Sequence, residues 1–267
     1  MAKLSDRYGR RPIYIADVGL FAAGSAMVVF SPSFQVLLIG RAVQAFGAGG
    51  ILPVASAVVG DVFPKEKRGS ALGMIGAVFG LAFLLGPLLG GLLLQWSWRL
   101  LFLINLPLAG LIIWESMRVL PAPQNIHQKP LDFFGGALLS IGLGAFAWAI
   151  GQLNVTEFTE SIKSLAVFPF IFLALICLPA FYWVERRATD PLIDPHLFIS
   201  SQVRLIGTIA VAAGLCEAGM VFLPVLLVAG LGVSEADASL MLLPLVLALI
   251  VGAPTAGRFL DRVGPKP

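Results

Sequence analysis

Eight long apolar stretches follow one another along this chain, and they leave it few folds to choose from. A helix that crosses a bilayer needs about 20 mostly apolar residues, because lipid offers nothing to its backbone N–H and C=O groups. The stretches are Ile13–Phe30, Gln35–Val59, Ala71–Leu94, Leu100–Val119, Phe133–Leu153, Leu165–Val184, Leu205–Val228 and Leu240–Ala256. Charged residues make up 12% of the chain, about half the usual share in soluble domains. The fold expected is an all-α polytopic membrane protein with about eight transmembrane helices. Met1–Phe30 is no signal peptide: its apolar run is too long, Asp17 interrupts it and more spans follow. Arg10-Arg11 belongs to a larger motif rather than to a twin-arginine export signal.

The cations between the spans are asymmetric. With the N-terminus in the cytoplasm, the inner loops hold Lys3, Arg7, Arg10, Arg11, Lys65, Lys67, Arg68, Arg118, Lys129, Arg186, Arg187, Arg204, Arg258, Arg262 and Lys266. The outer loops hold Arg99 and Lys163, and Arg41 lies inside a span. Cytoplasmic loops collect Lys and Arg, so both termini are expected in the cytoplasm of a multi-pass inner-membrane protein. The net charge of +3 sits at membrane edges, which points to lipid headgroups and not to nucleic acid. Cys177 and Cys216 lie in separate apolar runs and supply neither a disulfide framework nor metal-ligand spacing. His127 and His196 stand alone in polar loops. No Ser/His/Asp set and no phosphate loop is present, since Gly47–Gly50 falls within a helix, and this argues against a membrane-embedded enzyme.

Four groups of residues carry candidate chemistry. Met1–Pro12 reads MAKLSDRYGRRP, with Asp6, Arg7, Gly9, Arg10 and Arg11 at its centre, and Gly257–Pro267 is a looser copy with Asp261, Arg262 and Gly264. Each is either a solvated loop or a charge clamp, and an even number of spans puts both on one face. Arg41 lies about 10 Å into the second run, with Gln44 one turn on, and faces a wet cavity or snorkels to the headgroups. The third run carries Gly73, Gly76, Gly80, Gly86, Pro87, Gly90 and Gly91, where small residues let helices approach and Pro87 can kink. Glu217 is an acid deep in the seventh run, with Asp17 nearer an edge. Glu217 serves either as a proton-coupling group or as a buried hydrogen-bonded acid.

In combination these motifs resemble the major facilitator superfamily, in its fourteen-span drug:proton antiporter branch. Met1–Pro12 is similar to the signature loop after the family's second span. Leu38–Gly50, with Arg41 at the motif arginine, is similar to its fourth-span motif. Gly73–Gly91 resembles the fifth-span antiporter motif, and Trp98–Pro107 the Trp-Arg-x-x-Phe-x-x-Asn-x-Pro entry to the sixth. Eight spans between the loop copies match the fourteen-span branch, because a twelve-span member lacks the extra pair.

The resemblance implies proton-driven export of small hydrophobic or amphipathic compounds by alternating access, with the proton gradient as energy source and no cofactor. Asp6, Arg7, Arg10 and Asp61 would join in a cytoplasmic gate, Arg41 and Gln44 would line the cavity, and Gly86 and Pro87 would shape a leak-restricting helix. Residues 1–120 would be the remainder of the N-terminal bundle, 121–200 two extra linker helices, and 201–267 the first two helices of the C-terminal bundle. The family's first two and last four spans would lie outside the chain, which departs from the motifs at Ala2 and Ala82. A whole transporter needs two facing halves. The alternative is a non-transporting remnant or a partner of another chain.

Overall fold

The computed structural model describes residues 1–121, 132–154, 157–188, 190–194, 197, 199–234, 238 and 241–263. Its helices are α1 (Ala2–Tyr8), α2 (Arg10–Val29), α3 (Phe34–Val62), α4 (Arg68–Leu94), α5 (Leu100–Leu103), α6 (Asn105–Val119), α7 (Phe133–Gly151), α8 (Phe158–Lys163), α9 (Phe168–Glu185), α10 (Ser201–Leu231) and α11 (Leu243–Val263). Among the described residues, six helices are long and apolar enough to cross a membrane, counting α5 and α6 as one. The bent α10 makes a seventh if its two parts count as one span. The remaining run expected from sequence lies on α4, which carries no charge from Gly69 to Leu94. The eight apolar runs thus fall on eight stretches of helix, of which six to seven qualify as spans.

The chain divides into two compact units, residues 1–127 with 219–267 and residues 128–218. In the first, α2 packs along α3 and α6, and α4 along α11. In the second, α7 pairs with α9. Side chains such as Phe46, Trp96, Leu165 and Phe259 are exposed, while the buried apolar residues are mostly Val and Ala, among them Val18, Val28, Val54 and Ala109 in the first unit and Ala149, Val167 and Ala174 in the second. An apolar exterior over a core of small residues suits helices solvated by lipid tails.

Helix ends are set by named side chains. Gly9 separates α1 from α2 at φ 94° and ψ 151°, a region open essentially to glycine alone. Pro12 sits in the first turn of α2, where its missing N–H costs nothing. The Ser33 hydroxyl accepts from the Val36 N–H and caps α3. Arg68 donates to the Gly60 and Phe63 carbonyls at the far end of α3, at 2.5 and 3.1 Å. Arg99 does the same for α2, donating to the Val29 carbonyl at 3.0 Å and that of Ser31 at 3.3 Å. Both arginines meet carbonyls that a helix C-terminus leaves without partners, where positive charge is favoured. Three arginines also lie over tryptophan rings near helix ends, Arg99 on Trp98, Arg118 on Trp114 and Arg187 on Trp183.

Several sequence expectations change. The two motif copies are not loops: Met1–Pro12 forms α1 and the start of α2, and Gly257–Val263 are the last turns of α11. Apart from Gly9, nothing in these stretches opposes helix, and Asp6 on α1 pairs with Arg10 on α2 across the Gly9 break. The fourth run breaks into α5 and α6 at Ile104, because Pro107 cannot donate to the Leu103 carbonyl. The polar loop after the fifth run contains α8. Glu185, the charged residue that follows the sixth run, is the last residue of α9 and is 2% exposed.

Candidate functional site

The first motif copy meets the end of α3. The Arg10 Nε donates to the Asp61 carboxylate at 2.9 Å, its Nη1 donates to the Ser5 hydroxyl at 2.6 Å, and the guanidinium also pairs with Asp6. Arg10 has 20% of its side chain exposed and Asp61 55%, so Arg10 is the covered centre and the acids are its wetter rim. Gly9 makes this possible, since its backbone turns α1 back so that Ser5 and Asp6 face Arg10 across the break. Arg7 instead stacks on the ring of Tyr8 at 5.3 Å. Arg11, half-buried, joins no ion pair among the described residues. Ser5, 1% exposed, is a member the sequence reading missed.

The second copy meets the start of α4. Asp261 accepts from the Gly69 N–H and the Ser70 N–H, both at 2.7 Å, and from the Ser70 hydroxyl at 2.5 Å. The first amides of a helix point outward without partners and carry partial positive charge, so a carboxylate there gains charge-assisted hydrogen bonds. These bonds fasten α11 to α4. Arg262 is exposed at the end of α11, and Gly264 lies outside the described residues.

Below this cap, α4 and α11 touch through glycine. A methyl group on Gly73 would lie 2.7 Å from the Ala253 carbonyl oxygen, on Gly76 2.8 Å from the Ala253 Cβ, and on Gly80 2.7 Å from Ile250. Gly69 and Gly257 meet backbone to backbone. Gly69, Gly73, Gly76 and Gly80 recur at helical spacing on one face. The motif's other half behaves differently: Gly86, Gly90 and Gly91 have nothing within 4 Å of the added carbon. Pro87 falls on α4 with its side chain outside the described residues.

Arg41 and Gln44 belong to a polar chain through the α2–α3 contact. Arg41 donates to the Gln44 side-chain oxygen, Gln44 Nε2 donates to the Ser25 hydroxyl at 2.7 Å, and Ser25 donates to the Phe21 carbonyl at 2.9 Å. Asn105 Nδ2 reaches the same hydroxyl at 3.4 Å, and the Arg41 guanidinium lies 5.5 Å from the Phe102 ring centre. Gln44 and Ser25 are buried while Arg41 is exposed, so the chain runs from the core to an open side. Ser25 was not foreseen. A hydroxyl in an apolar run gives no signal of its own, whereas Phe102 and Asn105 already stood in the motif entering the sixth family span.

The two intramembrane acids differ. Glu217 sits at the middle of the 31-residue α10 and is exposed, and no group lies within 4 Å of a carbon added at Gly214 or Gly219. Asp17 is 1% exposed, with Oδ2 lacking a hydrogen-bond partner, and its carboxyl fills the space a side chain on Gly50 would need. It is thus a buried member of the α2–α3 contact. Among the described residues, no group of three or more His, Cys, Asp or Glu is placed to hold a metal.

Known proteins share these features. The sequence matches the Major Facilitator Superfamily over residues 1–267. It is 36% identical over 271 residues to the uncharacterized MFS-type transporter YfiU of Bacillus subtilis (strain 168), covering 99% of this chain and 52% of that protein. It is 33% identical over 262 residues to Multidrug resistance protein 3 of the same organism, covering 96% and 50%. To Multidrug resistance protein Stp of Mycobacterium tuberculosis (strain CDC 1551 / Oshkosh) it is 29% identical over 268 residues, covering 99% and 49%. The chain spans about half the length of the curated relatives it matches. Matched from end to end, this multi-pass membrane protein belongs to the Major Facilitator Superfamily, a family of transporters and not of enzymes, and is related to multidrug resistance proteins.

Proposed function

We propose that the chain supplies part of a proton-driven exporter of small hydrophobic or amphipathic compounds that works by alternating access. The observation that carries this reading is the Asp261 cap on the Gly69 and Ser70 amides, set where α4 and α11 approach through glycine. Hydrogen bonds from one carboxylate to the open end of a helix can form and break as rigid helices part, as a gate between two facing halves requires. In this reading residues 1–120 belong to one bundle, 121–200 form the linker pair and 201–267 begin the other bundle, with both termini in the cytoplasm. Asp6, Arg10 and Asp61 clamp the cytoplasmic side with Asp261, and Arg41 and Gln44 face the substrate cavity. Glu217 carries the coupled proton. The names of the multidrug resistance relatives support a drug-like substrate.

The test is transport in vesicles with an imposed proton gradient, using a fluorescent cationic dye, for the chain alone and co-expressed with spans supplied by a relative. Gradient-driven dye movement that Asp261→Asn and Glu217→Gln each abolish is the expected result. Unchanged movement in Glu217→Gln removes the coupling role. Movement in neither preparation favours the second reading, a non-transporting remnant or a partner of another chain.

A further inference from the structure

In the second unit, two carboxylates converge where α7 begins and α9 ends. Asp132 uses one oxygen, Oδ1, to accept from the Gly135 N–H at 2.7 Å and so caps α7. Glu185 uses Oε2 to accept from the Ile193 N–H at 3.1 Å. The other oxygen of each, Asp132 Oδ2 and Glu185 Oε1, is buried and has no hydrogen-bond partner. These two free oxygens crowd a single point: a carbon added to Gly135 would lie 2.5 Å from Asp132 Oδ2 and 2.7 Å from Glu185 Oε1. Glycine at 135 is what lets the pair close over the helix.

Among the described residues, no positively charged side chain pairs with either carboxylate. Among the described residues, the charged groups on the segments that meet here are Asp132, Glu185 at the end of α9, Arg186 and Arg187 just after it, and Asp190 and Asp194 in the returning segment, each of these last two with contacts of its own. Arg187 lies 3.8 Å from the Trp183 ring centre, and among the described residues no ion pair reaches either carboxylate. The site is closed by the returning segment, with Leu192 packed 3.5 Å from the position of a carbon on Gly136.

Glu185 is buried and Asp132 half-buried, and if both carry charge they repel each other while each keeps a buried acceptor oxygen that water cannot reach. A single hydrogen between the two free oxygens removes one charge and satisfies both acceptors. A metal ion fits less well, because Ca²⁺ asks for six or more oxygen ligands and the other two carboxylate oxygens are already taken by N–H donors. We propose that Asp132 and Glu185 form a proton-binding site in which one hydrogen bridges Asp132 Oδ2 and Glu185 Oε1, fastening the start of α7 to the end of α9. The proposal does not depend on the direction or substrate of transport.

Infrared spectroscopy of the chain in lipid nanodiscs at neutral pH tests it. The wild type is expected to show a C=O band of a protonated carboxyl that moves on transfer into D₂O. Both Glu185→Gln and Asp132→Asn should lose that band, whereas removing Na⁺, Mg²⁺ and Ca²⁺ should leave it in place. Cys177, buried where α7 and α9 meet at Gly142, reports folding by its alkylation rate in a Cys216→Ser background. It should stay protected in both variants, because the amide N–H takes the place of the shared hydrogen. Three results overturn the proposal: no band lost in either variant, a band that emerges only after cations are removed, or Cys177 exposed in both variants.

Discussion

The most exposed consequence of the α4–α11 geometry is a contrast between two glycines on one helix. Alanine is favoured over glycine in a helix interior by about 1 kcal/mol. Gly90 has open space around it, so Gly90→Ala should keep that gain. At Gly73 the same methyl lands 2.7 Å from the Ala253 carbonyl oxygen and 3.2 Å from the Pro254 Cα. Both are backbone atoms, so relief requires α4 and α11 to move apart as units, and overpacking of this kind costs about 1–3 kcal/mol. The expected balance is a net loss of up to about 2 kcal/mol for Gly73→Ala against a net gain of about 1 kcal/mol for Gly90→Ala. A separation of about 1–3 kcal/mol is a factor of roughly 5 to 150 in an equilibrium constant. Unfolding of the chain by titration with sodium dodecyl sulfate, followed by tryptophan fluorescence, measures both variants under one condition. If Gly73→Ala proves as stable as Gly90→Ala, the close approach of α4 and α11 at Gly73 is wrong.

Gly9→Ala forces a side chain into φ 94° and should cost on the order of 1–3 kcal/mol, seen as a lower unfolding midpoint. A double-mutant cycle on Arg10→Ala and Asp61→Asn should give a coupling of only about 0.2–1 kcal/mol that shrinks as salt rises, because Asp61 is more than half exposed; coupling that salt leaves untouched would contradict this. Gln44→Leu removes the acceptor of Arg41 and a donor to Ser25, and should cost about 1–3 kcal/mol in the same unfolding titration. Asp261→Asn should speed hydrogen exchange at the Gly69 and Ser70 amides, while amides beyond Gly80 keep their rates; equal rates at Gly69 and Ser70 in mutant and wild type would refute the cap.

Sequence by itself determined the membrane class, the placement of the apolar runs and the family. Runs of about 20 uncharged residues have one stable solution in lipid, which is helix. Asp61 and Arg10 were legible as partners only through the family resemblance, which implied one cytoplasmic charge network for them. Other features were decided by tertiary structure. The motif copies read as loops, yet Met1–Pro12 forms α1 and the start of α2, and Gly257–Val263 are the last turns of α11. The antiporter glycines read as one stripe, yet Gly73 packs tightly and Gly90 does not, because α11 runs beside only part of α4. Ser25 and Glu185 looked like an ordinary polar residue and a loop acid. Burial gave them their roles, and burial depends on which helix lies opposite, a long-range pairing that the local pattern of apolar and polar residues does not encode.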